Sequence, residues 1–107
     1  MRRIRHIASL RPATIKAYAS SCLKTVTGDA ALGPWRRLSE TTQADGTKRR
    51  VWERAPLSSG RGPALRLAIE HGPGCEENQN ACGWELENWS ELRSLVRSSR
   101  RQAGTPE

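Results

Sequence analysis

The stretch HGPGCEENQNACGW, residues 71–84, gathers the residue types most able to do chemistry: His71, Cys75 and Cys82, set among glycines. An imidazole and two thiolates are donors suited to zinc. A closed structural zinc site, however, typically takes four ligands, and its cysteine knuckles are roughly two to four residues apart. The spacing His71-x3-Cys75-x6-Cys82 departs from that pattern, and Cys22, the one further thiol, lies 53 residues before Cys75. No metal is assigned. A Cys75–Cys82 disulfide is geometrically easier, and it requires an oxidising compartment such as the mitochondrial intermembrane space. Reduced thiols in a polar reversing loop are the plainer reading. A Cys and a His in one loop also lack the third orienting group and the oxyanion site that nucleophilic catalysis needs. No glycine-rich phosphate cradle occurs. The chain reads as a non-enzyme with no cofactor.

A second chemistry is carried by tryptophan and arginine. In WRRLSETTQADGTKRRVWERAP, residues 35–56, Asp45-Gly46 separates two β-prone runs and suits a two-residue type I′ turn. That turn pairs Ser39 with Trp52, Arg37 with Arg54 and Gln43 with Lys48. One face of the hairpin, over about 35–55, then holds Trp35, Arg37, Lys48, Arg50, Trp52 and Arg54, and the other holds Leu38, Val51 and Ala55 with Glu40 and Glu53. Flat indoles on which bases stack, beside guanidiniums that hold phosphates, fit RNA or single-stranded DNA. The competing reading packs Trp35 and Trp52 inward and leaves the arginines as solvated charge. Within the same stretch, RRLSE resembles the substrate pattern of basophilic cyclic-nucleotide-dependent kinases. Phosphate on Ser39 would add nearly two negative charges and weaken polyanion binding.

These side chains need a scaffold, and the composition offers little for one. The chain has 107 residues and no Phe, and Leu, Ile and Val together number 17, so Trp35, Trp52, Trp84 and Trp89 carry most of the large apolar surface. A small α+β unit and a largely disordered chain are both consistent with that content at a net charge of +7. Charge is segregated: residues 1–28 hold six basic and no acidic residues, whereas 69–91 hold six glutamates and no Lys or Arg. A basic surface favours polyanions, and the acidic segment could fold back on the basic ones. Arginine outnumbers lysine 15 to 3. A GC-rich reading frame produces that bias unaided, so a chain with no selected function is a further reading.

The remaining elements follow from local pattern. Residues 1–28 form a basic, acid-free N-terminal arm, read as flexible, with Arg2, Arg3, Arg5 and Arg11 among Ile4, Ile7 and Leu10. Such a start resembles a mitochondrial transit peptide, and Pro12 interrupts its helical spacing. No stretch reads as a secretory signal or a membrane span. The expected location is intracellular: mitochondrial, or otherwise nuclear or cytoplasmic. Residues 57–63 read as a flexible break, and alternation over 64–70 predicts a third strand ending at Gly72-Pro73-Gly74. Residues 29–101 make a single small unit, with 102–107 as tail. A C-terminal helix over about 89–101 carries one apolar face of Trp89, Leu92, Leu95 and Val96, with Asn88 and Glu91 spaced as a capping box. That face packs on the sheet or takes up a protein partner. The primary functional expectation is nucleic-acid binding through the Trp35/Trp52 face. The alternative is a mitochondrially targeted protein acting through the C-terminal helix.

Overall fold

In a computed structural model, the backbone is described for residues 4–6, 10–57 and 63–104, and side chains for 10–57 and 63–97. The arginines at 2, 3 and 5, the glycine-serine break at 58–62 and the end of the tail therefore lie outside the described side chains. The elements are β1 (Ile4–His6), α1 (Pro12–Thr27), β2 (Arg36–Thr42), β3 (Lys48–Arg54), β4 (Leu65–His71), β5 (Gly83–Leu86) and α2 (Trp89–Gly104). They build an α+β unit whose antiparallel sheet has the order β1-β5-β4-β3-β2.

The stretch read as a flexible arm contains a core helix. Pro12 begins α1 rather than interrupting it, because proline at the first helical turn has no N–H to lose and a preset φ. Ile15, Ala19 and Leu23, spaced by four, form the buried stripe of α1 and join Leu65, Leu67, Ile69, Trp84, Leu86 and Leu92 in one core. Gly28 ends the helix in a left-handed conformation at φ 78°.

The hairpin forms with a different turn. Gln43 donates its N–H to the Thr47 carbonyl and Gly46 to that of Gln43, closing a loop of Ala44, Asp45 and Gly46. Gly46 alone in this loop has positive φ, at 91°, and the Asp45 carboxylate accepts the Thr47 N–H at 2.9 Å. Three-residue loops with glycine in the left-handed position give a one-residue offset from a type I′ turn. The pairs are accordingly Thr42–Lys48, Thr41–Arg49 and Glu40–Arg50, in place of the expected Gln43–Lys48 register. A bulge between Arg37 and Ser39 then sets Arg37 opposite Trp52 and Arg36 opposite Glu53. A Cβ on Gly46 would also meet Pro73 at 3.2 Å, so the turn rests on the β4–β5 connection.

Helix α2 extends past the expected end to Gly104, and Asn88 precedes it without capping it. Its carboxamide instead accepts the Arg66 N–H at 2.8 Å and donates to the Ala64 carbonyl at 2.8 Å. Buried backbone groups must find partners, and Asn88 supplies them where β4 begins. Only its backbone carbonyl serves the helix, accepting the Leu92 N–H at 2.9 Å.

Candidate nucleic-acid interface

Pairing across the sheet puts Trp35, Arg37, Lys48, Arg50, Trp52 and Arg54 on the side of Leu65, Leu67, Ile69 and His71, which is the side that α1 covers. This face is built inward. Trp35 and Trp52 are half-buried and pack against the core. The Lys16 ammonium lies over the Trp52 ring, 3.4 Å from its centroid, and the Arg54 guanidinium lies 5.8 Å from that of Trp35. Arg54 also donates from Nε to the Gly33 carbonyl at 2.6 Å and from Nη1 to the Ser20 hydroxyl. Arg50 is only 7% exposed, with Nε donating to Glu40 at 3.1 Å. Arg37 lies 3.3 Å from Glu40 and 3.4 Å from Glu77 of the β4–β5 connection. Burial lowers the Lys16 pKa, and Glu77 partly offsets that by favouring the charged form.

The opposite face neutralises the acidic segment. Arg49 reaches Glu70 at 3.0 Å, Glu85 at 2.8 Å and Glu87 at 2.6 Å. Burial alone would lower the Arg49 pKa, and the three carboxylates override it and raise the pKa further above its ordinary value. Arg66 lies 4.0 Å from Glu91, and Arg36 lies 3.4 Å from Glu53. The segregated charges of the chain thus meet across the sheet.

Further cations sit on the helices. Thr25 and Val26 of α1 and Arg93, Val96 and Arg97 of α2 line a groove of about 250 Å³. Two arginines line it without an acidic residue, and the Thr25 hydroxyl donates to the Ser21 carbonyl at 3.0 Å. Among the described residues neither Arg93, Arg97 nor the exposed Lys24 makes an ion pair, in contrast to Arg37, Arg49 and Arg50 of the hairpin. The apolar face read from the C-terminal sequence is largely consumed at home. Leu92 is in the core, Trp89 packs on it, Val96 lines the groove, and Leu95 remains 56% exposed.

The cysteine-histidine stretch forms the β4–β5 connection and β5 itself, a strand hidden in a loop-like sequence. His71 is 1% exposed at the end of β4. Burial, and after it the charge of Arg50, lowers its pKa, against an opposing pull from Glu77. Cys75 and Cys82 are thiols, and the Cys82 Sγ donates to the Glu70 carbonyl at 3.3 Å. Among the described residues no three of His, Cys, Asp and Glu converge as metal ligands. Ser39 is exposed in β2. Sequence reasoning passed over Lys16, Arg49 and the Arg93/Arg97 groove, although the i, i+4 spacing of the last pair was a readable signal.

The fold and its surface define a small basic α+β protein with an antiparallel sheet, one face of which is covered by two helices. No known protein family, curated protein or solved structure matches the chain. Among the described residues no helix is long and apolar enough to cross a membrane.

Proposed function

We propose that this protein is a non-enzymatic binding module that holds RNA or single-stranded DNA by its phosphodiester backbone, with Arg93, Arg97 and Lys24 as the contacts. The supporting observation is the α1/α2 groove, lined by Arg93 and Arg97, which have no carboxylate partner among the described residues. Guanidiniums offer planar, multi-donor recognition of phosphate, and each phosphate neutralised releases condensed counterions. A recess between two helices suits a flexible single strand, which can turn one phosphate inward, better than the convex backbone of a duplex. Helix α2 continues with arginine at positions 100 and 101, so its basic residues recur on successive turns. Base stacking on Trp52 has no part in this reading, since Lys16 lies over that ring.

Anisotropy titration of a labelled single-stranded oligonucleotide against salt tests the proposal. Replacing Arg93 and Arg97 with Gln should reduce the slope of log K against log salt by about 1.4, at about 0.7 per phosphate for a single strand. The control replaces Arg36 and Arg66 with Gln, removing the same charge from ion-paired sites. Equal losses from both pairs would reduce binding to net charge and sink the reading.

A further inference from the structure

Strand β2 is an edge of the sheet, and all seven of its residues are exposed. An edge strand offers its outward N–H and C=O groups to another strand, and a bulge is a usual way of discouraging that. Here the bulge has a second consequence. Opposed residues share a face, so the register with β3 puts Arg37, Glu40 and Thr42 on the face of Lys48, Arg50 and Trp52, with Arg36, Ser39 and Thr41 on the other. In a regular strand, residues three apart point to opposite faces. The extra residue at Leu38 brings Arg37 and Glu40 to one face, 3.3 Å apart.

We propose that β2 is a self-association edge, on which a second copy of this chain docks antiparallel so that the two sheets become continuous. The two-fold axis of such a dimer runs perpendicular to the sheet, so each residue must oppose one of the same face. Setting Arg37 against Glu40 of the second copy meets this condition, because Arg36 then opposes Thr41 and both lie on the other face. Sliding the register by one residue in either direction sets Arg37 against Ser39 or Thr41, which lie on the opposite face. Of these three registers the matched one is also charge-complementary, with two Arg37–Glu40 contacts related by symmetry. Leu38, 43% exposed, gains cover from Ser39 of the second copy. Parallel pairing in register would set Arg37 against Arg37 and is disfavoured by like charge.

Sedimentation equilibrium of the full chain, in about 0.15 M salt to screen the self-repulsion of its +7 charge, reads this directly. The mass is expected to rise from 11.9 kDa toward twice that value with concentration. Arg37→Glu and Glu40→Arg each create like-charge contacts across the two-fold, so each alone should weaken association at least tenfold. Mixing the two variants should restore it as a heterodimer, because Glu at 37 then meets Arg at 40 and the remaining Glu40 meets Arg37. Amide exchange on the unmodified chain, in which β2 should become protected as concentration rises, keeps the test independent of how well the variants fold. A mass fixed at 11.9 kDa up to millimolar concentration, β2 exchange that ignores concentration, or a mixture no more associated than its parts overturns the proposal.

Discussion

Lys16 on α1 places its ammonium 3.4 Å from the centroid of the Trp52 ring on β3, and so joins the N-terminal helix to the sheet face that it covers. The contact covers one face of the indole, and Arg37, 5.9 Å from the same centroid, adds a second cation beside it. A cation over indole contributes roughly 0.5–2 kcal/mol, rising as the pair is desolvated. The ε-protons of Lys16 are expected upfield of those of the other lysines through the Trp52 ring current, and Trp52→Leu should abolish the shift. Unshifted Lys16 protons in the parent chain would mean that the ring is open to ligands.

Arg49 is the charge on which the outer sheet face depends. Arg49→Met should cost about 1.5–3 kcal/mol, the usual worth of a hydrogen bond to a charged group, since it removes the guanidinium shared by Glu70, Glu85 and Glu87 and Glu85 is 1% exposed. Adding Glu85→Gln should recover part of the loss. A urea melt of the single and double variants checks both, and a neutral Arg49→Met would show that water already solvates the carboxylates.

His71 makes stability depend on mildly acidic pH. Its folded pKa lies below the ordinary 6.5 because burial and the neighbouring Arg50 disfavour the imidazolium. The unfolded chain therefore takes up a proton first as pH falls. Stability is fully present above about 6.5 and declines as pH drops from there toward the folded pKa. The interval from about pH 7.5 to 5.5 spans that decline, and comparison with His71→Gln isolates it from every group the two proteins share, His6 included. Thermal melts across it should show a falling midpoint that His71→Gln flattens, and parallel curves for the two proteins would exclude His71 as the cause.

Removal of residues 1–28 takes away Ile15, Ala19 and Leu23 together, three fully buried members of the core. Loss of even one such aliphatic side chain typically costs about 2–5 kcal/mol, against a total stability of about 5–15 kcal/mol for a domain. A chain beginning at Asp29 is expected to lose its cooperative thermal transition by circular dichroism. One beginning at Arg11 is expected to keep it, so any targeting segment cleaved without loss of the fold must end before α1. A cooperative melt from the shorter chain would show that α1 is dispensable.

Local pattern by itself determined the hairpin around Asp45-Gly46, the alternating strand at 65–71, the amphipathic helix after Asn88 and the separation of charge along the chain. These signals depend on residues close in sequence, whose periodicity or turn chemistry leaves few alternatives. Only the tertiary structure decided which face of each element would be covered. Periodicity defines two faces without naming the inner one, and a loop longer by one residue changes which side chains oppose each other. Two elements were nearly silent for the same reason. Helix α1 buries only Pro12, Ile15, Ala19 and Leu23 along its length, and β5 is four residues whose strand character comes from partners at β4 and β1. Asn88 carried a capping signal, but buried backbone groups of Ala64 and Arg66, more than 20 residues away, claimed its side chain. Charge followed the same rule: Arg36, Arg37 and Arg50, close to the tryptophans in sequence, met glutamates of other segments, whereas Arg93 and Arg97 of α2 meet none among the described residues, because ion pairing depends on distance in space.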